Sequence, residues 1–134
     1  MLRQISIYAK NRRGMMRDIT KVLLDEGINI LGSVTNDSAE YGIIRMVVSD
    51  AEKAAAAFKR EGYICKLTDV IGVEVSDEVG NLTKLLGALD ESNINVDYIY
   101  LSYNRVSGKP IMVFHVEDPM EVEECLETGG FTTV

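Results

Sequence analysis

Two stretches of the 134-residue chain place polar side chains and a glycine just ahead of an amphipathic run. They are Asn11, Arg12, Arg13, Gly14 and, 66 positions later, Asp77, Glu78, Val79, Gly80. Glycine lets a ligand approach the backbone closely, and first-turn helix amides have no intrahelical acceptor, so such a junction can receive a carboxylate or carbonyl oxygen. The same residues also suit an ordinary tight turn. Charge separates the pair: Lys10, Arg12, Arg13 and Arg17 surround the first loop, Asp77 and Glu78 the second. Guanidinium groups beside helix amides make the basic loop the better carboxylate seat, whereas Asp77 repels that group. One ligand per chain is therefore expected over two, although charges of this kind also form solvated rims.

Other reactive side chains are few. Cys65, Cys125 and His115 are the whole cysteine and histidine complement, too few for a disulfide framework or a His-based zinc site. His115 lies between Phe114 and Val116 with no nucleophile setting in the sequence around it, which reads as a core or edge histidine. The two thiols fall in packing positions, and the six Met residues suit an adaptable core. No catalytic residue, metal or cofactor is expected. Lys and Arg total 14 against 21 Asp and Glu, a formal charge of -7, which repels nucleic acid and anionic lipid. The opening residues MLRQISIYAK alternate apolar and polar, unlike a signal peptide, and no run of apolar residues is long enough to span a membrane. A reduced, cytoplasmic setting follows as the expectation.

The elements that hold the two loops are themselves repeated. A shift of 66 sets Gly14 on Gly80, Ile19 on Leu85, Leu23 on Leu89, Asp25 on Glu91, Ile28 on Ile94 and Asn29 on Asn95. Further along the shift is 68, setting Asp50 on Asp118, Phe58 on Leu126 and Gly62 on Gly130. This order of unlike residues marks a duplication. Within each copy Ile5, Ile7 and Ala9, or Ile71, Val73 and Val75, alternate as a strand. Met15, Ile19, Val22 and Leu23, or Leu82, Leu85, Leu86 and Leu89, then form a helical stripe. β-Branched and aromatic strands are expected over Ile28 to Thr35 and Ile94 to Tyr103. Turns at Asn36 to Glu40 and Asn104 to Lys109 lead to strands Gly42 to Val48 and Pro110 to Val116.

Asp50 caps a second helix, and its counterpart Asp118 precedes Pro119, a residue suited to the first helical position. Last strands begin at Tyr63 and Phe131. The order is β-α-β-β-α-β twice, an α+β class of two tandem ferredoxin-like units, 1–68 and 69–134, with helices on one sheet face and the other face partly open. A unit of about 66 residues buries little surface alone, so two units paired side by side through antiparallel sheets are expected.

Strand, Asn-x-x-Gly, helix and then Gly-Ile-Asn-Ile, carried by Gly14 to Asn29 and echoed in the second copy, resembles the ACT domain family of small-molecule regulatory modules. Small stand-alone tandem members are the nearest in form. The resemblance implies that the units pair through their sheets and hold an amino acid between one unit's loop and the other's second strand. Asn11 and the amides of Arg13, Gly14 and Met15 would then form one half-site with Asn95, and Asp77 and Gly80 another with Asn29. An asparagine both accepts from an ammonium and donates to a carboxylate, though it also satisfies a turn after a helix. The chain departs from the family where a Pro often precedes the loop glycine: Arg13 and Val79 stand there. Ala9 replaces the polar residue of some serine-sensing relatives.

The function expected is a non-catalytic amino-acid sensor that acts by population shift on a surface read by another protein, such as a metabolic enzyme or transporter regulated in trans. The chain itself would form a homodimer or other homo-oligomer. Two alternatives remain from this fold: a ligand-independent protein–protein assembly module, and a small phosphoryl hydrolase holding phosphate at Arg12 or Arg13. An RNA-binding sheet needs a basic surface with exposed aromatics, which a charge of -7 opposes.

Overall fold

The computed structural model of the chain describes residues 1–37 and 41–134. Eleven elements follow in the order β1 (Leu2–Lys10), α1 (Met15–Asp25), β2 (Ile30–Asp37), β3 (Tyr41–Val48), α2 (Ala51–Arg60), β4 (Ile64–Glu74), α3 (Asn81–Glu91), β5 (Tyr98–Tyr103), β6 (Pro110–His115), α4 (Pro119–Thr128) and β7 (Thr132–Thr133). The chain divides into two compact units: Arg3–Thr68, and Asp69–Val134 together with Met1–Leu2. The first two residues join the C-terminal unit because the Met1 ammonium donates to the Val134 carbonyl at 2.9 Å and pairs with Glu123 at 2.8 Å.

In the N-terminal unit β3 lies antiparallel to both β1 and β2, and β1 also pairs with β4. Alternation works here as the sequence pattern implies: Ile5, Ile7 and Ala9 turn to the same side as Ile44, Met46 and Val48. Ile19 and Leu23 of α1 and Ala54, Ala55 and Phe58 of α2 close this core. The opposite face of β1 changes along its length. Gln4 and Ser6 are buried and joined by a 3.1 Å hydrogen bond, while Tyr8 is exposed.

The C-terminal unit repeats the plan. β4 lies antiparallel to β6 and β7, and β6 to β5. Ile71, Val73, Val75 and Phe114 pack against Leu85 and Leu89 of α3 and Val122 and Leu126 of α4. Local chemistry sets the helix starts. The Asp50 carboxylate accepts from the Lys53 N–H at 3.1 Å, while Pro119 opens α4 and Asp118 makes no such side-chain bond.

Four expected strands need correction. The strand expected to start at Tyr63 and the one expected over Ile71 to Val75 run together as a single strand, β4, from Ile64 to Glu74 without a break. β5 starts at Tyr98, four residues beyond Ile94, so Asn95 lies ahead of the strand and not in it. β2 starts at Ile30, leaving Asn29 in the connection, where its N–H donates to Ser49 Oγ and its carbonyl accepts from the Ser49 N–H, both at 2.9 Å. The expected turn Asn36 to Glu40 falls partly on residues 38–40, outside the described ones. No helix is long and apolar enough to cross a membrane among the described residues.

Candidate functional site

The two β–α loops have closely matched backbones. Gly14 (φ 84°, ψ −2°) caps α1 and Gly80 (φ 89°, ψ 0°) caps α3, each in the left-handed region, which costs an L-residue with a Cβ about 1–2 kcal/mol. Neither helix start receives a capping side chain. The first helical bonds are the Asp18 N–H to the Gly14 carbonyl and the Lys84 N–H to the Gly80 carbonyl, both 3.0 Å.

The Met15 amide, expected to face a ligand, instead donates to the Arg12 carbonyl at 3.2 Å. Helix geometry supplies no acceptor to the next two amides, Met16 and Arg17, so the oxygen-binding capacity of this turn lies one residue further on.

Beside the N-terminal loop is a cavity of about 350 Å³. Its floor is the helix side of the sheet, from Ala9 and Gly42 to Ile44 and Thr35; Met15 and Met16 wall it from α1. Thr35 Oγ1 donates to Met16 Sδ at 3.8 Å, which ties the wall to β2. Lys10, Asn11, Arg12 and Arg17 border it as well. The structure thus brings Asn11, Arg12, Gly14 and Met15 to one hollow, whereas Arg13 does not line it. Arg12 also has a partner: its guanidinium reaches the Asp18 carboxylate at 2.7 Å and the Arg13 carbonyl at 3.2 Å. That pair is half exposed and contributes about 1 kcal/mol or less. The cationic rim is therefore Lys10 and Arg17 with a partly neutralised Arg12, not the adjacent Arg12 and Arg13 expected.

The remaining residues lie elsewhere within their own units. Asn29 follows α1, whose 11 residues put it about 16 Å along the helix from the Gly14 end. Asn95 likewise follows α3, at the opposite end from Asp77 and Gly80. It borders a second cavity of about 420 Å³ with Asp97, Asp118, Glu121 and Cys125. Its side-chain amide donates to Asp97 Oδ1 at 3.3 Å, and Asp97 Oδ2 lies 2.7 Å from His115 Nδ1. Tyr98 stacks on that imidazole, with centroids 5.4 Å apart. His115 thus has an aspartate neighbour that local sequence did not reveal, because Asp97 is 18 residues away and reaches it across the β5–β6 pairing.

Burial pushes the Cys65 thiol above its ordinary value, outweighing the nearby Lys59 charge, which disfavours the thiolate a nucleophile requires. Among the described residues no group of three or more His, Cys, Asp or Glu side chains could hold a metal ion. Sequence reasoning missed Thr35, Gly42 and Ile44. The available signal was the pair of small residues, Ala9 and Gly42, at positions where the second copy has Val75 and Pro110.

The profile of the ACT domain pair matches residues 1–129, and the chain belongs to that family. ACT domains are commonly small-molecule-binding regulatory domains and are typically non-catalytic. Among solved structures the chain is similar to a Bacteroides thetaiotaomicron protein, at 28% identity and a TM-score of 0.90, covering 99% of this chain and 91% of that one. It is also similar in fold to the ligand-free regulatory subunit of aspartate kinase from Thermus thermophilus, at 19% identity and a TM-score of 0.66, covering 91% and 85%. The corresponding Thermus flavus subunit gives 20% identity and 0.66, covering 92% and 86%. No curated protein matches the sequence.

Proposed function

We propose that this chain is a non-catalytic regulatory protein that binds a free amino acid, each of its two units being one ACT domain of ferredoxin-like strand order. The ligand's carboxylate is received where the loop from Asn11 runs into α1, at the Met16 and Arg17 amides. The observation that carries this reading is the 350 Å³ hollow beside an uncapped helix start, rimmed by Lys10, Arg12 and Arg17. Cations and helix amides at one rim favour a carboxylate, and the Asn11 side chain offers both an acceptor and donors. The Thermus proteins of similar fold are regulatory subunits of aspartate kinase, which is in keeping with a regulatory role exerted on another protein. Binding alters a partner's activity only insofar as the ligand prefers one conformation over another.

A thermal-shift and calorimetric screen with the standard amino acids tests the reading. A ligand at about 100 times its Kd adds about 2.7 kcal/mol of stability. Asn11→Ala should remove that gain while the unliganded protein still melts cooperatively. Silence across the panel refutes the proposal. Asn29→Ala, Asp77→Asn and Asn95→Ala, titrated likewise, test the other positions that the family likeness implies.

A further inference from the structure

The hollow in the N-terminal unit exists because two small residues face each other. Ala9 on β1 pairs with Gly42 on β3, one step beyond the Ile7–Ile44 pair on the same apolar side. A Cβ placed on Gly42 would meet only the Asn36 and Ala9 carbonyl oxygens, at 3.4 and 3.8 Å, and no side chain. The repeat sets these positions on Val75 and Pro110. There the Val75 N–H donates to the Pro110 carbonyl at 3.0 Å and both residues are buried. Two larger side chains thus stand in the C-terminal unit where the N-terminal unit has a methyl group and a hydrogen.

The chemistry of the lining limits the occupant. Ala9, Met15, Met16, Gly42 and Ile44 offer apolar surface, and Thr35 directs its hydroxyl at Met16. The charged groups at its border, Lys10, Arg12 and Arg17, are all cations, and no Asp or Glu borders it among the described residues. A carboxylate at the rim is matched by those cations. A second carboxylate, an ammonium or a hydroxyl carried deeper would lose its water without an adequate partner. The volume lies at the small end of ligand sites.

We infer that the N-terminal hollow takes the side chain of an α-amino acid whose side chain is uncharged and apolar, aliphatic or thioether, and that Val75 and Pro110 fill the equivalent space in the C-terminal unit. The inference rests on the amino-acid reading above and specifies its ligand class.

Calorimetric titration of the full chain with Val, Leu, Ile and Met against Ser, Asp and Lys is the test. The apolar set should bind at least tenfold more tightly, with one site per chain. Ala9→Val, which installs the residue of the second copy, should weaken the apolar ligands at least tenfold while the unliganded melting temperature holds or rises. Should Ala9→Val fail to fold, Gly42→Ala replaces it, and should weaken Leu, Ile and Met more than Val. Equal binding of Ser, Asp or Lys, or undiminished apolar binding by a folded variant, overturns the inference and leaves the amino-acid reading standing. Silence towards every amino acid overturns both.

Discussion

Ala9 stands opposite Gly42 in the β1–β3 ladder, two residues beyond the Ile7–Ile44 pair. The apolar side of this sheet consequently ends in an open hollow next to the Gly14 loop, and not in a packed side chain. Gly42 does not have the positive φ found at Gly14 or Gly80, so its missing side chain reflects space and not backbone strain.

Adding a methyl at Gly42 should therefore stabilise the free protein. Gly42→Ala is expected to gain about 0.4–1 kcal/mol through loss of unfolded-chain entropy, read from urea denaturation. Gly72→Ala is the contrast. Its Cβ would sit 2.7 Å from the ends of the Leu2 and Val134 side chains and 3.3 Å from Ile111, so overpacking should cost about 1–3 kcal/mol. Equal effects at the two sites would contradict the packing described.

The matched helix starts give a second test. Gly14→Ala and Gly80→Ala each force a Cβ into the left-handed region and should each lose about 1–2 kcal/mol. The same denaturation series measures both. A neutral result at either glycine would mean that its cap geometry differs from that seen.

Caps made by side chains separate Asp50 from Asp118. Asp50→Ala removes the 3.1 Å bond to the Lys53 N–H and should cost about 1 kcal/mol. Asp118 makes no cap bond, and Pro119 already fits the first turn, so Asp118→Ala should stay within about 0.5 kcal/mol of the parent. Comparable losses would show that the repeat preserves function at this position and not only residue type.

Thiol reactivity should also divide. Cys65 is half-buried, donates to the Ala55 carbonyl at 3.7 Å and has its thiol pushed up by burial. At neutral pH it holds less thiolate than an ordinary cysteine, and its alkylation should accelerate only at higher pH. Cys125 is exposed, so mass spectrometry after brief alkylation should find it modified first.

The duplicated element order was legible from residues 1–134 because its signals act over short distances. Alternation in Ile5, Ile7 and Ala9, the stripe of Ile19 and Leu23, the glycine before each helix and the Asp at positions 50 and 118 are each read within one or two turns of chain. Strand ends were less legible: apolar Ile94 and Val96 look like strand residues, yet the described pairing with β6 starts at Tyr98 opposite His115.

The makeup of the hollow was decided by tertiary structure. Lys10, Arg12 and Arg17 announce a basic loop in sequence, but only folding engages Arg12 with Asp18, leaves Arg13 away from the lining and commits the Asn95 amide to Asp97. Ala9 and Gly42 are 33 positions apart and each is unremarkable alone; ladder register sets them face to face. Periodicity and capping are local preferences, whereas register is chosen by the burial of many distant side chains at once, which is why the elements could be read from the chain and the shape of the space between them could not.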